Sequence, residues 1–289
     1  MDHINLFQTN AEFLSAYTND YVEPWVSYTR ETSGMSYNKG PEPPHDYSQD
    51  YLTFEVISGG TISSLVDGVL LSKDNGENWD TEITGLTSGD KVIAKGDVHS
   101  FGGSSEASFD FGDTVINVYG NIMSIYDSEG FRTRTTFDNY GSSMSYLFLS
   151  TPIVSAEHLI LPATTLTGSC YQSMFNGCTS LTTAPSILPA TTLVQSCYQG
   201  MFYGCTSLTT APELPATTLI DYCYQGMFQY CTNLNYIKCL ATDISATNCT
   251  DNWVNGVSST GTFVKNPNMT SWTTGNNGIP ANWTIQDAS

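Results

Sequence analysis

Along this chain the apolar positions follow two regimes, and the change between them divides it. Short apolar-rich runs occupy residues 51–57, 69–72, 91–94, 108–111 and 114–119, separated by clusters of Gly, Asp and Ser. Runs of that length and spacing predict short strands, at the density of a small β-sandwich. From residue 161 the pattern becomes periodic. Three blocks open on Leu-Pro-Ala-Thr-Thr-Leu and carry Cys-Tyr-Gln-x-Met-Phe-x-x-Cys-Thr, with 27 residues from Cys170 to Cys197 and 26 from Cys197 to Cys223. A fixed period in the twenties predicts a solenoid, in which one short unit buries its apolar face only by stacking on its neighbours.

Within a block, positions 170, 171, 174, 175 and 178 are apolar at helical spacing, so the pattern predicts a helix there. Gly177 and Gly204 stand where such a helix would end in a left-handed residue, a place taken by Tyr230 in the third block. Residues 179–185 have the β-branched composition of a short strand. Residues 147–154 align with 174–181 as a degenerate first unit, and Trp253-Val254 falls where Met227-Phe228 stands one unit earlier. Near the N-terminus, residues 11–17 read as a short helix. Beyond it, Trp25 to Tyr28 and Met35 to Tyr37 flank a turn as an aromatic hairpin. The expected fold class is α+β, in four parts. Residues 1–44 form a small N-terminal aromatic docking or oligomerisation module with its linker, and 45–130 a β-sandwich-like domain. Residues 131–265 form a short leucine-rich-repeat solenoid, and 266–289 a β-rich C-terminal cap.

Charge narrows the partners. The chain has 28 acidic and 9 basic residues, for a net charge of −19. Too few cations are available to replace counterions along phosphates, so nucleic acid is excluded as a partner. No apolar run reaches the ~18 residues of a membrane span, and residues 1–13 lack the apolar stretch of an export signal, so the expectation is a chain made in a cytoplasm without membrane insertion. All eight cysteines fall between Cys170 and Cys249, seven of them at repeat positions. That placement points to buried thiols stacked from unit to unit, and the absence of a Cys-x2-Cys pair argues against zinc.

Candidate chemistry is sparse. Residues 72–79 fit the Asp-box pattern S-x-D-x-G-x-x-W, in which Asp74 caps the turn, Gly76 supplies a positive φ and Trp79 covers one side. One copy reads as a structural hairpin, and Asp74, Glu77 and Asp80 lack the ligand spacing of a calcium loop. Asp110 and Asp113 are close in sequence, but strand alternation would put them on opposite faces. The histidines at 3, 45, 99 and 158 are scattered. No catalytic, cofactor-binding or metal-binding residues are expected, and the chain reads as a non-enzyme without cofactors. Trp25, Tyr28 and Tyr37 are the expected docking or oligomer contacts, because clustered aromatics in so short a segment mark contact surface.

The run Met-Phe-x-Gly-Cys-Thr-Ser-Leu-Thr, followed by a strand and a Pro, resembles the BspA-type leucine-rich repeat, with its signature A-F-x-x-C-x-x-L-x-x-I-x-I-P. The likeness covers about residues 147–250 and departs from the usual unit by a longer period and the inserted Leu-Pro-Ala-Thr-Thr-Leu. The flanking segments resemble those such arrays carry in proteins of gut Bacteroidales and their phages. The resemblance implies a virion structural protein, a head or tail fibre or a capsid decoration, made in the host cytoplasm and carried on the virion. The expected partners are other virion proteins at the N-terminal module and a host-surface glycan or protein at the repeats. A homotrimer is expected because weak sites on one particle gain strength by avidity. The alternatives are a bacterial cell-surface adhesin and a protein-interaction scaffold.

Overall fold

The computed structural model describes residues 26–31, 34–39, 45–101, 106–138 and 141–289. The chain divides into two compact units, Met1–Asp46 and Tyr47–Ser289. In the first, β1 (Val26–Glu31) and β2 (Gly34–Lys39) pair antiparallel, with Tyr28 opposite Tyr37 in the register. Trp25 and the helix expected over residues 11–17 lie outside the described residues.

The second unit begins with strands close to those the alternation predicts. These are β3 (Leu52–Ser58), β4 (Ile62–Ser64), β5 (Val69–Ser72), β6 (Glu82–Ile83), β7 (Lys91–Gly96), β8 (Phe109–Asp110) and β9 (Val115–Asn121). Further along come β10 (Ile153–Ser155), β11 (Leu159–Ile160), β12 (Tyr236–Cys239), β13 (Thr262–Lys265) and β14 (Thr284–Asp287). One sheet runs β10-β9-β3-β7-β5 with β11 also on β9, a second runs β6-β4-β8, and a third, all parallel, runs β12-β13-β14. Period-two alternation sets the faces of the first sheet. Leu52, Phe54, Val56, Val92, Ala94, Ile116 and Val118 are buried, while Glu55, Lys91 and Tyr119 turn outward. Phe54 meets Phe109 and Phe111 with centroids 5.0 and 5.3 Å apart, and Phe109 stacks on Phe148 at 6.1 Å. The sheet therefore shares its core with the first repeat layer.

The α+β expectation is wrong: among the described residues there is no α-helix, only two short 3-10 turns at Tyr47–Gln49 and Ile122–Ile125. The segment 169–178 is instead a run of tight turns. Ser169, Ser173 and Gly177 have φ of 57°, 53° and 75°, so every fourth residue is left-handed. The same recurs at Ser196, Gly200 and Gly204, at Tyr222, Gly226 and Tyr230, and at Asn248, Asn252 and Gly256. Within residues 170–177, even-numbered amides close turns, as Gln172 N donates to Ser169 O at 3.1 Å and Met174 N to Tyr171 O at 3.4 Å. Odd-numbered amides reach across, as Tyr171 N donates to Cys197 O at 2.9 Å, Ser173 N to Gln199 O at 2.8 Å and Phe175 N to Met201 O at 2.8 Å. Half of the backbone donors thus hold one layer to the next, where a helix would spend them internally. The positive φ at Gly177 and Gly204 belongs to this recurrence and not to a helix cap.

The same hydrogen bonds join residues 144–150 to 170–176 and residues 222–230 to 247–255, so the degenerate first and last units are full layers. The strand expected over residues 179–185 shrinks to isolated parallel bridges such as Ser155↔Thr183 and Thr210↔Tyr236. Two aromatic columns run through the stack. Tyr171, Tyr198, Tyr224 and Trp253 succeed one another with centroids 5.6, 6.2 and 6.3 Å apart. Phe148, Phe175, Phe202 and Phe228 do so at 5.4, 5.4 and 5.8 Å. Both end on Trp253, over which Trp272 stacks at 5.5 Å. Offset stacking of this kind adds ~1 kcal/mol per pair beyond burial. All eight cysteines are free and buried, and Cys178, Cys205 and Cys231 each donate their S–H to the carbonyl of Phe148, Phe175 and Phe202 at 2.9, 3.1 and 2.9 Å.

Candidate functional site

Each repeat places one glutamine at the same point of its turn run. Gln172, Gln199 and Gln225 follow the buried Tyr171, Tyr198 and Tyr224 and precede the left-handed residues Ser173, Gly200 and Gly226, so the amide emerges from the core at the edge of its layer. Because the layers are in register, the amides meet. Gln172 Nε2 donates to Gln199 Oε1 at 3.2 Å, Gln199 Nε2 to Gln225 Oε1 at 2.6 Å, and Gln225 Nε2 to Asp251 Oδ2 at 3.3 Å. The chain of donors is directional and ends on a carboxylate, which also accepts from Asn252 Nδ2 at 3.2 Å.

The ladder lines an open trough of about 260 Å³, bordered by Asn176, Tyr203 and Gln229. Gly200 and Gly226 lie in its floor, where the first layer has Ser173. A primary amide offers two N–H donors and two lone pairs, and the ladder uses one of each in Gln199. One donor and one acceptor per layer thus remain for a ligand. Their spacing repeats with the layers, and Tyr203, edge-on to Tyr230 at 5.3 Å, adds an aromatic wall. An evenly spaced set of amide donors and acceptors, with the one carboxylate of Asp251 at its end, beside an aromatic ring is suited to a neutral polyhydroxyl ligand. Exposed threonine pairs, Thr182-Thr183 and Thr209-Thr210 among them, continue the polar surface elsewhere on the stack.

Of the expected contact residues, Tyr28 and Tyr37 stand opposite each other on β1 and β2, and Trp25 falls outside the described residues. The glutamines escaped sequence reasoning, although a signal was present. An outward residue that the core does not need, kept identical in three successive units, asks for a reason outside the core. Among the described residues, no group of three or more His, Cys, Asp or Glu is arranged to hold a metal ion, and no helix is long and apolar enough to cross a membrane. Asp110 caps its own turn by accepting from Gly112 N at 2.8 Å. Comparison with protein-family models, with curated proteins and with solved structures finds no match for this chain.

Proposed function

We propose that this chain is a phage virion structural protein, a fibre or decoration, that displays its stacked repeats for adhesion to a host surface, with the amide trough as a contact for a neutral glycan. The observation that carries the adhesive part is the register of Gln172, Gln199 and Gln225, which turns one polar position into a repeated row of equivalent hydrogen-bonding groups. Weak sites repeated along one surface, and again over many copies on a particle, gain strength by avidity. The likeness of the repeats to BspA-type arrays supports the setting. The N-terminal module, with Trp25, Tyr28 and Tyr37, attaches the chain to other virion proteins.

The test is a glycan array read with the full chain and with the triple variant Gln172→Ala, Gln199→Ala, Gln225→Ala. Its companion measurement is mass spectrometry of density-purified particles. The expectation is selective binding of neutral glycans, reduced at least about tenfold in the triple variant, which loses several hydrogen bonds of roughly 1 kcal/mol each. Equal binding by both proteins removes the trough from the reading. Recovery of the chain in the outer membrane of uninfected cells, and not in particles, replaces the virion by the bacterial adhesin.

A further inference from the structure

The outward face of the first sheet carries a second groove, of different chemistry. In the register, Thr53 on β3 lies between Ile93 on β7 and Tyr119 on β9, and Glu55 lies between Lys91 and Asn117. Alternation therefore sends Tyr51, Thr53, Lys91, Ile93 and Tyr119 to the side away from the aromatic core. Arg132 arrives from the segment after the second 3-10 turn and is fixed there by Nε donating to Gln49 O at 3.1 Å. Together these residues enclose about 330 Å³, with Asn75 and Asp50 at the margin.

The Asp-box hairpin adjoins the groove, to whose lining it contributes Asn75. Asp74 Oδ1 accepts from Asn78 N at 2.9 Å and from Ser72 Oγ at 2.6 Å, and Gly76 N donates to Ser72 Oγ at 2.9 Å with φ of 89°. Trp79 Nε1 then donates to Gly76 O at 2.9 Å, which sets the indole edge-on to Tyr51 at 6.0 Å. The motif positions an aromatic ring beside the groove.

Cations gather here out of proportion to the composition. Of nine Lys and Arg in the chain, Lys91, Lys95 and Arg132 lie on or beside this groove, each against a ring. Lys95 Nζ is 4.1 Å from the Trp79 centroid, Lys91 Nζ 5.6 Å from Tyr119, and the Arg132 guanidinium 5.5 Å from Tyr51 and 4.3 Å from Phe131. Elsewhere among the described residues Arg134 pairs with Asp127 and Asp138, Lys238 with Glu213 and Lys265 with Asp287. None of the three groove cations makes such a pair. In the lining, Lys91 and Arg132 stand near Asp50, with Glu55 across the strand from Lys91. What sets these cations apart is that they lie against rings and not in ion pairs. Cations left outside ion pairs can take the carboxylate of one small anion, while the field of the whole molecule, of net charge −19, repels a polyanion.

A groove at the small end of ligand-pocket volumes, with cations at its rim and phenol rings in its walls, fits a ligand that joins a carboxylate to an apolar ring face. We propose that it binds one carboxylated sugar residue, with Lys91 and Arg132 holding the carboxylate and Tyr51 and Tyr119 lying against the C–H face of the ring. The site is separate from the amide trough, and its fate does not depend on that of the trough.

The experiment titrates the full chain with glucuronic acid, with methyl glucoside and with inorganic sulfate, by calorimetry and by intrinsic tryptophan fluorescence. Expected is saturable binding of glucuronic acid, with methyl glucoside weaker by at least about tenfold, the size of one lost charge-assisted contact. Lys91→Gln and Arg132→Gln, both at exposed positions, should each weaken glucuronic acid about tenfold with unchanged melting temperature, and Tyr51→Leu should weaken it while leaving a residual affinity for sulfate. Gln199→Ala should leave it unchanged. Equal binding of the acidic and neutral sugars overturns the proposal, as does sulfate binding as tightly as glucuronic acid, which would make the groove a simple anion site. Unaltered affinity in both Lys91→Gln and Arg132→Gln overturns it too.

Discussion

Burial governs the chemistry of individual side chains in the stack. Removal from water pushes the Cys178 thiol up to about 11 and those of Cys170, Cys231 and Cys239 up to about 12, from an ordinary value near 9.0. Cys197, Cys205 and Cys223 are raised further by the same cause. The phenols of Tyr171, Tyr198 and Tyr224 are also raised by burial. An acid whose folded value exceeds its unfolded one holds its proton longer in the native state. Its stabilising contribution is therefore complete below about pH 9 and is lost as pH rises toward about 11 to 12, where the native thiols begin to ionise. The urea midpoint should hold between pH 7 and about pH 8.5 and then fall steeply by about pH 10.5, while a thiol reagent at pH 8 should react with the native protein only as fast as it unfolds. A midpoint that stays level to pH 11 would show that the thiols are not buried in the native stack. The thiol placement was legible from the even recurrence of Cys in the repeats. The carbonyl each sulfur donates to was not, because Cys178 and Phe148 are brought together only by the stacking of layers.

At the scale of elements, the strands were readable and the turn runs were not, for a definite reason. Alternation over residues 52–58, 91–96 and 115–121 can satisfy only a period of two, so β3, β7 and β9 follow from it. Apolar residues at 170, 171, 174, 175 and 178 satisfy a helix of 3.6 residues per turn and a turn run of four equally well over so short a span. The discriminating residues are those at 169, 173 and 177 and their equivalents, where Ser, Gly, Asn and Tyr stand with positive φ. Ser and Tyr are not obvious left-handed residues, and their strain is tolerated because each layer clamps the next. Gly226 separates the two conformations by sign. Its φ is 61°, and an added Cβ would meet only Gln229 Oε1, at 3.4 Å. In the middle of a helix, Gly226→Ala would stabilise by about 1 kcal/mol. In the turn run it should destabilise by about 1 kcal/mol or more, with Gly226→Asn less harmful than Ala. Urea unfolding of the two variants decides, and a more stable alanine variant would contradict the turn run.

For the whole molecule, the decisive features are the continuity of residues 47–289 and the uneven charge. Contacts from Phe54 through Phe109 and Phe148 to Phe228 and Trp253 link the sheets to the last layer within one compact unit. The unit that precedes it is different, a two-stranded hairpin among its described residues, and two strands alone are marginally stable in water. Contacts between three copies around an axis would add to those a two-stranded hairpin makes by itself. Of the 28 carboxylates, six lie in residues 151–289, which leaves 22 in the first 150, where copies would approach. Repulsion between them would have to be offset by apolar contact, and Trp25, Tyr28 and Tyr37 are the aromatic residues expected to make it. Light scattering at micromolar concentration should therefore find the full chain trimeric, and more so in about 0.5 M salt, where the repulsion is screened within a few ångströms. Residues 45–289 alone should remain folded and monomeric, and Trp25→Ala with Tyr28→Ala should dissociate the full chain without lowering the melting temperature of the larger unit. A full chain that stays monomeric at high salt would leave the particle itself as the source of multivalency, with each copy bound separately and adhesion dependent on copy number alone.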